Sequence, residues 1–375
     1  MSGSRNVRLY LCVLYRLGML CAQFDDRECL LQSTPGSERY ALFHMLIVLI
    51  AAFAGFIYVC LRPQELYMGI YNDTGNYYEL FNIRSFCVGL CLLHICLYIR
   101  RQRHIELVQK LLRLHRLCPD AALERYFRRN FNVYVALAVL CLVNYLNGYA
   151  RAGLSKVPTL LYIVVYLYSF SAMCLLLVFF VCLQHIVAAG LAKLNSQLVE
   201  NNSVSNCKHL LYKRHRLLDI VAVELIACFG VLILPIVPLV LFLAPSGPLF
   251  LISTVMEGKL KKPFEFTIYC ITSCLWNIPW LAMITFMLRS NVITTEANKT
   301  AKILAKIPRT GSGLDKMVEK FLLKNLRQQP ILTAYGFFAL DKSTLFKLFT
   351  AIFTYMVILV QFKEMENSTK SLQKP

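Results

Sequence analysis

The 375-residue chain has no long low-complexity stretch, no soluble domain and no clear internal repeat. The last absence removes the paired, interrupted halves by which many transporters reveal themselves. Missing too is a nucleophile with its base, or a full set of metal ligands, so nothing points to an enzyme or to a cofactor. Acidic residues are scarce, 21 against 40 Lys and Arg, giving a formal charge of +19. The basic residues fall in blocks between long apolar runs, not over one surface, which argues against a nucleic-acid partner and for membrane topology.

What is abundant is apolar sequence. Hydrophobic residues make up 57% of the chain, against about 45 to 50% in soluble domains, and the mean hydropathy is +0.54. A helix needs roughly 20 apolar residues to cross a bilayer. Seven runs meet that length, at 41–62, 79–99, 130–150, 159–187, 218–243, 264–288 and 344–362. The expected fold is an all-α polytopic membrane protein, residues 1–375 forming one seven-helix domain. With an odd number of spans the termini lie on opposite sides. Of the Lys and Arg outside the spans, 29 fall in one set of segments and 8 in the other. The positive-inside rule puts the N-terminus in the cytoplasm and the C-terminus outside.

That topology keeps the outer loops short, so a large protein ligand finds little to hold. It also turns the sequons at Asn72 and Asn367 outward as candidate glycosylation sites, while the matches at Asn201 and Asn298 face inward. The 15 cysteines avoid the outer loops, which excludes a secreted-type disulfide framework. Cys87, Cys91 and His94 share a helix face, but the pattern offers no fourth metal ligand. Residues 5–21 read as a cytoplasmic amphipathic helix, with a cleaved signal peptide the weaker alternative because Arg16 interrupts the apolar core that one requires. Residues 104–117 and 313–327 are amphipathic as well, and 308–313 read as a flexible break.

The last run, TLFKLFTAIFTYMVILVQF from Thr344 to Phe362, is broken by Thr354, Tyr355 and Gln361. An amide in lipid needs a partner or a water-filled cavity. Thr354, Ile358 and Gln361 recur at i, i+4 and i+7 and share a helix face. Thr354-Tyr355, five apolar residues and Gln361-Phe362 resemble the signature that closes the last helix of insect gustatory receptors. Ala334-Tyr335-Gly336-Phe337-Phe338 and Leu340-Asp341 are similar to that family's lead-in. The resemblance implies a tetrameric cation channel, formed with identical or related receptors, with Thr354, Ile358, Gln361 and Phe362 lining its pore. It also implies cytoplasmic helices that anchor the four subunits, and the plasma membrane of taste neurons as the site of action. Met356 stands where sugar-sensing members carry Glu, which favours a bitter or unassigned small-molecule tastant.

A ligand entering from outside would meet the outer halves of the spans. Arg84, Asn144, Tyr145, Asn147, Tyr162, Tyr166, Tyr269 and Trp276 are the candidate ligand-binding residues there, with Asn82 and Tyr149 nearby. Few polar groups among aromatics is the usual make-up of a small-molecule pocket, although aromatics also form interfacial belts. Trp276 and Trp280 flank Pro279, and Pro235 and Pro238 lie in the fifth span, so either pair is a candidate hinge. Arg84 and Glu224 lie at opposite membrane depths and are not expected to pair. A receptor coupled to a G protein is the alternative, but it needs the N-terminus outside; a transporter is the other.

Overall fold

The computed structural model describes residues 5–25, 30–68, 73–117, 121–151, 154–200, 204–256, 263–288, 292–306 and 342–372, with positions 316, 318, 319, 321 and 339. The lead-in residues 334–338, 340 and 341, the break at 308–313, most of 313–327, and Asn72 lie outside the described residues.

The chain begins with α1, Arg5–Arg16. Val7, Tyr10, Leu11 and Leu14 form its buried stripe, at the spacing of one helix face. Tyr10 donates its hydroxyl to the Phe127 carbonyl at 3.0 Å, and Asn6 Nδ2 reaches Glu124 Oε2 at 2.8 Å. The amphipathic face therefore docks on protein. Burial pushes the Tyr10 phenol far above its ordinary pKa. Gly18, at φ +65°, ends the helix by a Schellman turn: Gly18 N–H donates to Tyr15 O and Met19 N–H to Leu14 O. A hairpin follows that the periodicity did not foretell, β1 (Gln23–Asp25) antiparallel to β2 (Leu30–Gln32), with Phe24 opposite Leu31.

The helix α2, Pro35–Leu61, starts on a reciprocal cap, in which Thr34 Oγ1 accepts from Ser37 N–H and Ser37 Oγ accepts from Thr34 N–H. Then come α3 (Asp73–Ile99), α4 (Arg101–Leu117), α5 (Ala121–Arg151) and α6 (Lys156–Glu200). The helix α7 (Val204–Asp219) runs without interruption through π-helical turns, Ile220–Gly230, into α8 (Val231–Leu243). Arg100 donates from Nη1 to the Ala227 carbonyl within those turns. Both Pro235 and Pro238 lie inside α8, and each removes a backbone donor there. The remaining helices are α9 (Ser246–Met256), α10 (Pro263–Leu288), α11 (Val292–Ala305) and α12 (Lys342–Leu372).

Among the described residues, six helices are long and apolar enough to cross a membrane, and α10 adds a shorter apolar stretch, Leu275–Phe286. The expected runs fall on these helices, yet the helices extend past them. The run 159–187 sits inside the 45-residue α6, about 68 Å long at 1.5 Å per residue. An apolar run ends where lipid ends, whereas backbone hydrogen bonding carries the helix onward. Every residue from Ala172 to Leu183 of α6 is buried. Around it pack α3, α4, α5, α7, α10 and α11. The core of the molecule is this one helix and its neighbours' inward faces.

At the end where α3 meets α4, Lys110 Nζ pairs with Glu224 at 2.7 Å, while Arg84 Nη2 donates to the Val59 carbonyl at 3.2 Å. The two groups thus have separate partners, as their depths require. His94 Nε2 meets the Tyr168 hydroxyl at 3.0 Å, and Cys87 and Cys91 are free thiols. The sequon at Asn298 lies on α11 with Thr300 buried and bonded to Asn195 Oδ1 at 2.7 Å.

Candidate functional site

Where α3 begins and α12 ends, the interior of the bundle turns polar and aromatic. Glu79 of α3 is 3% exposed. Its Oε1 accepts from the Tyr166 hydroxyl of α6 at 2.9 Å. Tyr166 stacks between Tyr145 of α5 and Tyr162 of α6, with centroids 5.5 and 6.1 Å away. Trp280 of α10 donates from Nε1 to the Tyr145 hydroxyl at 2.9 Å, and its ring meets the edges of Phe86 and Phe170 at 5.3 and 5.1 Å. One connected network therefore ties α3, α5, α6 and α10 together.

Asn82 lies three residues beyond Glu79 and one turn before Phe86, hence on the same face of α3. Its side chain is fully buried, and neither its nitrogen nor its oxygen has a hydrogen-bond partner among the described residues. Ser169 Oγ of α6 is likewise buried without one. A buried amide left unsatisfied costs about 1–3 kcal/mol, so Asn82 and Ser169 stand out as buried groups with unused hydrogen-bonding capacity.

Of the candidate residues read from the sequence, Tyr145, Tyr162 and Tyr166 sit in this network. Asn144 lies beside it, donating to the Leu275 carbonyl at 2.6 Å. Trp276 packs edge-on against Tyr145 at 4.7 Å and donates to Ser246 Oγ at 3.1 Å. Arg84 does not join them; it lines a separate cleft of about 360 Å³ with Phe56, Pro235 and Pro238. Asn147 is exposed, and the side chains of Tyr149 and Tyr269 lie outside the described residues. Glu79 was missed because a lone carboxylate at the first residue of an apolar run reads as the boundary of that run. The clue was its spacing to Asn82 and Phe86.

The helix α12 is arranged differently. Leu348, Tyr355 and Leu359 form its docked stripe; Tyr355 stands 6.2 Å from Tyr78, and Leu359 packs with Tyr78 and Leu249. At its far end Thr74 holds Glu366 Oε2 by both its backbone N–H and its hydroxyl, at 3.2 and 2.5 Å. Thr354, Ile358 and Gln361 are all exposed, on a flank turned away from that stripe. Thr354 and Ile358 line a shallow groove of about 520 Å³ with Phe346 and Thr350. Phe362 falls seven residues after Tyr355, so it points back toward α3 and lines a cleft of about 360 Å³ with Tyr77 and Phe81. The Asn367 side chain lies outside the described residues, while Ser368 and Thr369 bond back along α12 to the carbonyls of Glu364 and Met365.

A family model described as 7tm Chemosensory receptor matches residues 7–366. The chain belongs to that family. Among its relatives is gustatory and pheromone receptor 39a, isoform A, of Drosophila melanogaster, 54% identical over 370 residues that cover 99% of this chain and 98% of that receptor. The fold is similar to that of the insect olfactory receptor OR5 from Machilis hrabei. That match has a TM-score of 0.61 at 10% identity, over 96% of this chain and all of the other. OR5 in complex with eugenol matches with a TM-score of 0.60 at 12% identity, over 96% of this chain and 98% of that one. The receptor is thus a multi-pass member of the insect chemosensory family, which is not a family of enzymes.

Proposed function

We propose that this receptor is a gustatory chemoreceptor of the plasma membrane that opens a cation-permeable pore when a small-molecule tastant binds. Its subunits assemble as a tetramer, alone or with related receptors, and α12 of each lines the shared pore. The observation that carries this reading is the exposure of Thr354 and Gln361 on a helix apolar enough to span the membrane. An amide facing lipid on all sides is costly, so water in a pore and neighbouring copies are the natural surroundings for that flank. Four neutral amides supply dipoles without fixed charge, which suits weak selectivity.

With α10 counted as a span, seven in all, and the N-terminus inside, the Glu79–Tyr166 network lies in the outer half of the membrane, within reach of a ligand arriving from outside. The ligand seats among α3, α5, α6 and α10, bonded to Asn82 beside the stack of Tyr145, Tyr166 and Tyr162. By binding the open state more tightly it shifts the closed–open balance. Met356 disfavours sugars, and a bitter compound fits best; the name of the relative, gustatory and pheromone receptor 39a, widens the class to pheromones. The fold shared with OR5, and the eugenol complex of that protein, support a small organic ligand.

The test is whole-cell current from cells expressing the receptor, alone and with related receptors, while tastants are applied with G-protein signalling blocked. A rapid current that survives the block is the expected result. A response abolished by the block, at normal surface abundance, would contradict it.

A further inference from the structure

At the opposite end of the bundle from the aromatic network, a groove of about 840 Å³ opens between α4, α6 and the junction of α7 with the π-helical turns. Its floor is apolar: Leu114, Leu194 and Leu217 line it, and Leu114 and Leu217 both close to 3.3 Å from where a Cβ on Gly190 would stand. Its rim is basic, with Lys110, Lys193, Lys213 and Arg216 against two carboxylates, Asp219 and Glu224. Those carboxylates are already engaged, Glu224 by Lys110 at 2.7 Å and Asp219 by His215 at 2.9 Å. Lys193 holds the Leu117 carbonyl at 2.6 Å, and Lys213 has no acidic partner among the described residues. The rim carries a surplus of positive charge that acidic groups among the described residues do not neutralise.

Depth decides what kind of anion fits. The apolar run of α6 ends at Val187, and Gly190 to Gln197 of the groove continue about 5 to 15 Å beyond it. The headgroup layer occupies roughly the first 5 to 8 Å outside the hydrocarbon. The α6 wall rises through the outer part of the headgroup layer, while Ile220 and Val223 on the facing wall fall inside the apolar run 218–243, so the groove reaches from the headgroup layer down to the acyl edge. Leu117 and Val223 beside it are 68% and 66% exposed, as apolar groups meeting lipid would be. A free anion would use the basic rim and leave the leucine floor bare. An amphiphile covers both.

We propose that this groove binds an anionic phospholipid, its phosphate held by Lys193, Lys213 and Arg216 and its acyl chain laid along Leu114, Leu217 and Val223. Basic pockets between helices at the cytoplasmic face are the common setting for such lipids. The assignment to the inner leaflet rests on the topology proposed above, whereas the groove's chemistry does not. The bound headgroup sits at the start of the π-helical turns that lead into α8, so it braces that junction.

The test uses the full-length receptor purified in neutral detergent, where sidedness plays no part. Thermal melting is followed while dioctanoyl phosphatidylinositol 4-phosphate, dioctanoyl phosphatidylcholine or the soluble inositol bisphosphate headgroup is added. The phosphoinositide is expected to raise Tm with saturation, and the other two are not. Lys213→Gln with Arg216→Gln should weaken that apparent affinity at least about tenfold without changing Tm in phosphatidylcholine, whereas Lys299→Gln, outside the groove, leaves it intact. If the double variant does not fold, Lys213→Gln alone is read against Lys213→Arg, which should retain binding. Equal shifts from phosphatidylcholine, or an undiminished shift in the groove variants, would overturn the site. A full shift from the soluble headgroup would overturn the lipid assignment in favour of a free anion.

Discussion

Both α6 and α12 are long, apolar helices, and they are opposites in what surrounds them. The most apolar stretch of α6 is 89% buried within the chain, and that of α12 only 6%. Hydropathy barely separates them, at 2.4 and 1.9 over those stretches. It measures dislike of water and is blind to whether protein or lipid takes water's place. For α6 the answer is protein on every side, so its neighbours are fixed by the fold of one subunit. Only one stripe of α12 meets its own chain, and the flank with Thr354 and Gln361 is left for other surroundings.

The sharpest way to break this contrast is to cut into both helices. Phe170→Ala on α6 removes a fully buried ring packed on Trp280 and should cost about 3–5 kcal/mol, read as a fall in Tm and in surface abundance. Phe353→Ala on α12, 62% exposed, should leave the subunit's stability within about 0.5 kcal/mol, while any loss shows in the size of the assembly. Comparable destabilisation by both would erase the distinction.

A second prediction concerns pH at the basic end of the bundle. His104 of α4 is buried against Phe229, with ring centroids 5.3 Å apart. Burial, helped by the charge of Arg100, lowers its pKa to about 4. The folded value lies below the unfolded one of about 6.5, so the unfolded chain takes up the proton first. Stability is therefore full above about pH 6.5 and is lost as pH falls toward 4, with about 2 kcal/mol gone between pH 7 and pH 5. Melting curves of the receptor and of His104→Asn should differ in that slope.

Smaller in stability but larger in function is Tyr166→Phe. Removing the hydroxyl that Glu79 accepts should cost about 1–2 kcal/mol and shift the ligand dose–response, with surface abundance nearly kept. An unchanged dose–response would return Tyr166 to a packing role.

The long apolar helices were legible because roughly 20 apolar residues carry a strong signal, and that Thr354, Ile358 and Gln361 share a face follows from helical spacing alone, whereas the exposure of that face does not. Less could be read where structure rests on contacts between distant segments. The hairpin at Phe24 and Leu31 is too short to show alternation. The docking of Tyr10 on Phe127 spans more than a hundred residues. Convergence of Tyr145, Tyr162 and Tyr166 is a tertiary fact, and so is the departure of Arg84 from that group. Phe362 shows the same limit: the motif joins it to Gln361, but one residue is a turn of 100° on a helix and sends the two side chains to different sides.

The most direct test of the pore reading of α12 is the ratio of calcium to monovalent permeability in Gln361→Glu against the unaltered receptor. A ring of fixed negative charge in a shared pore should raise that ratio several-fold, because divalent cations gain most from it. A tastant-evoked current of altered size with an unchanged ratio would mean that Gln361 does not face the ion path, and the central claim would fail.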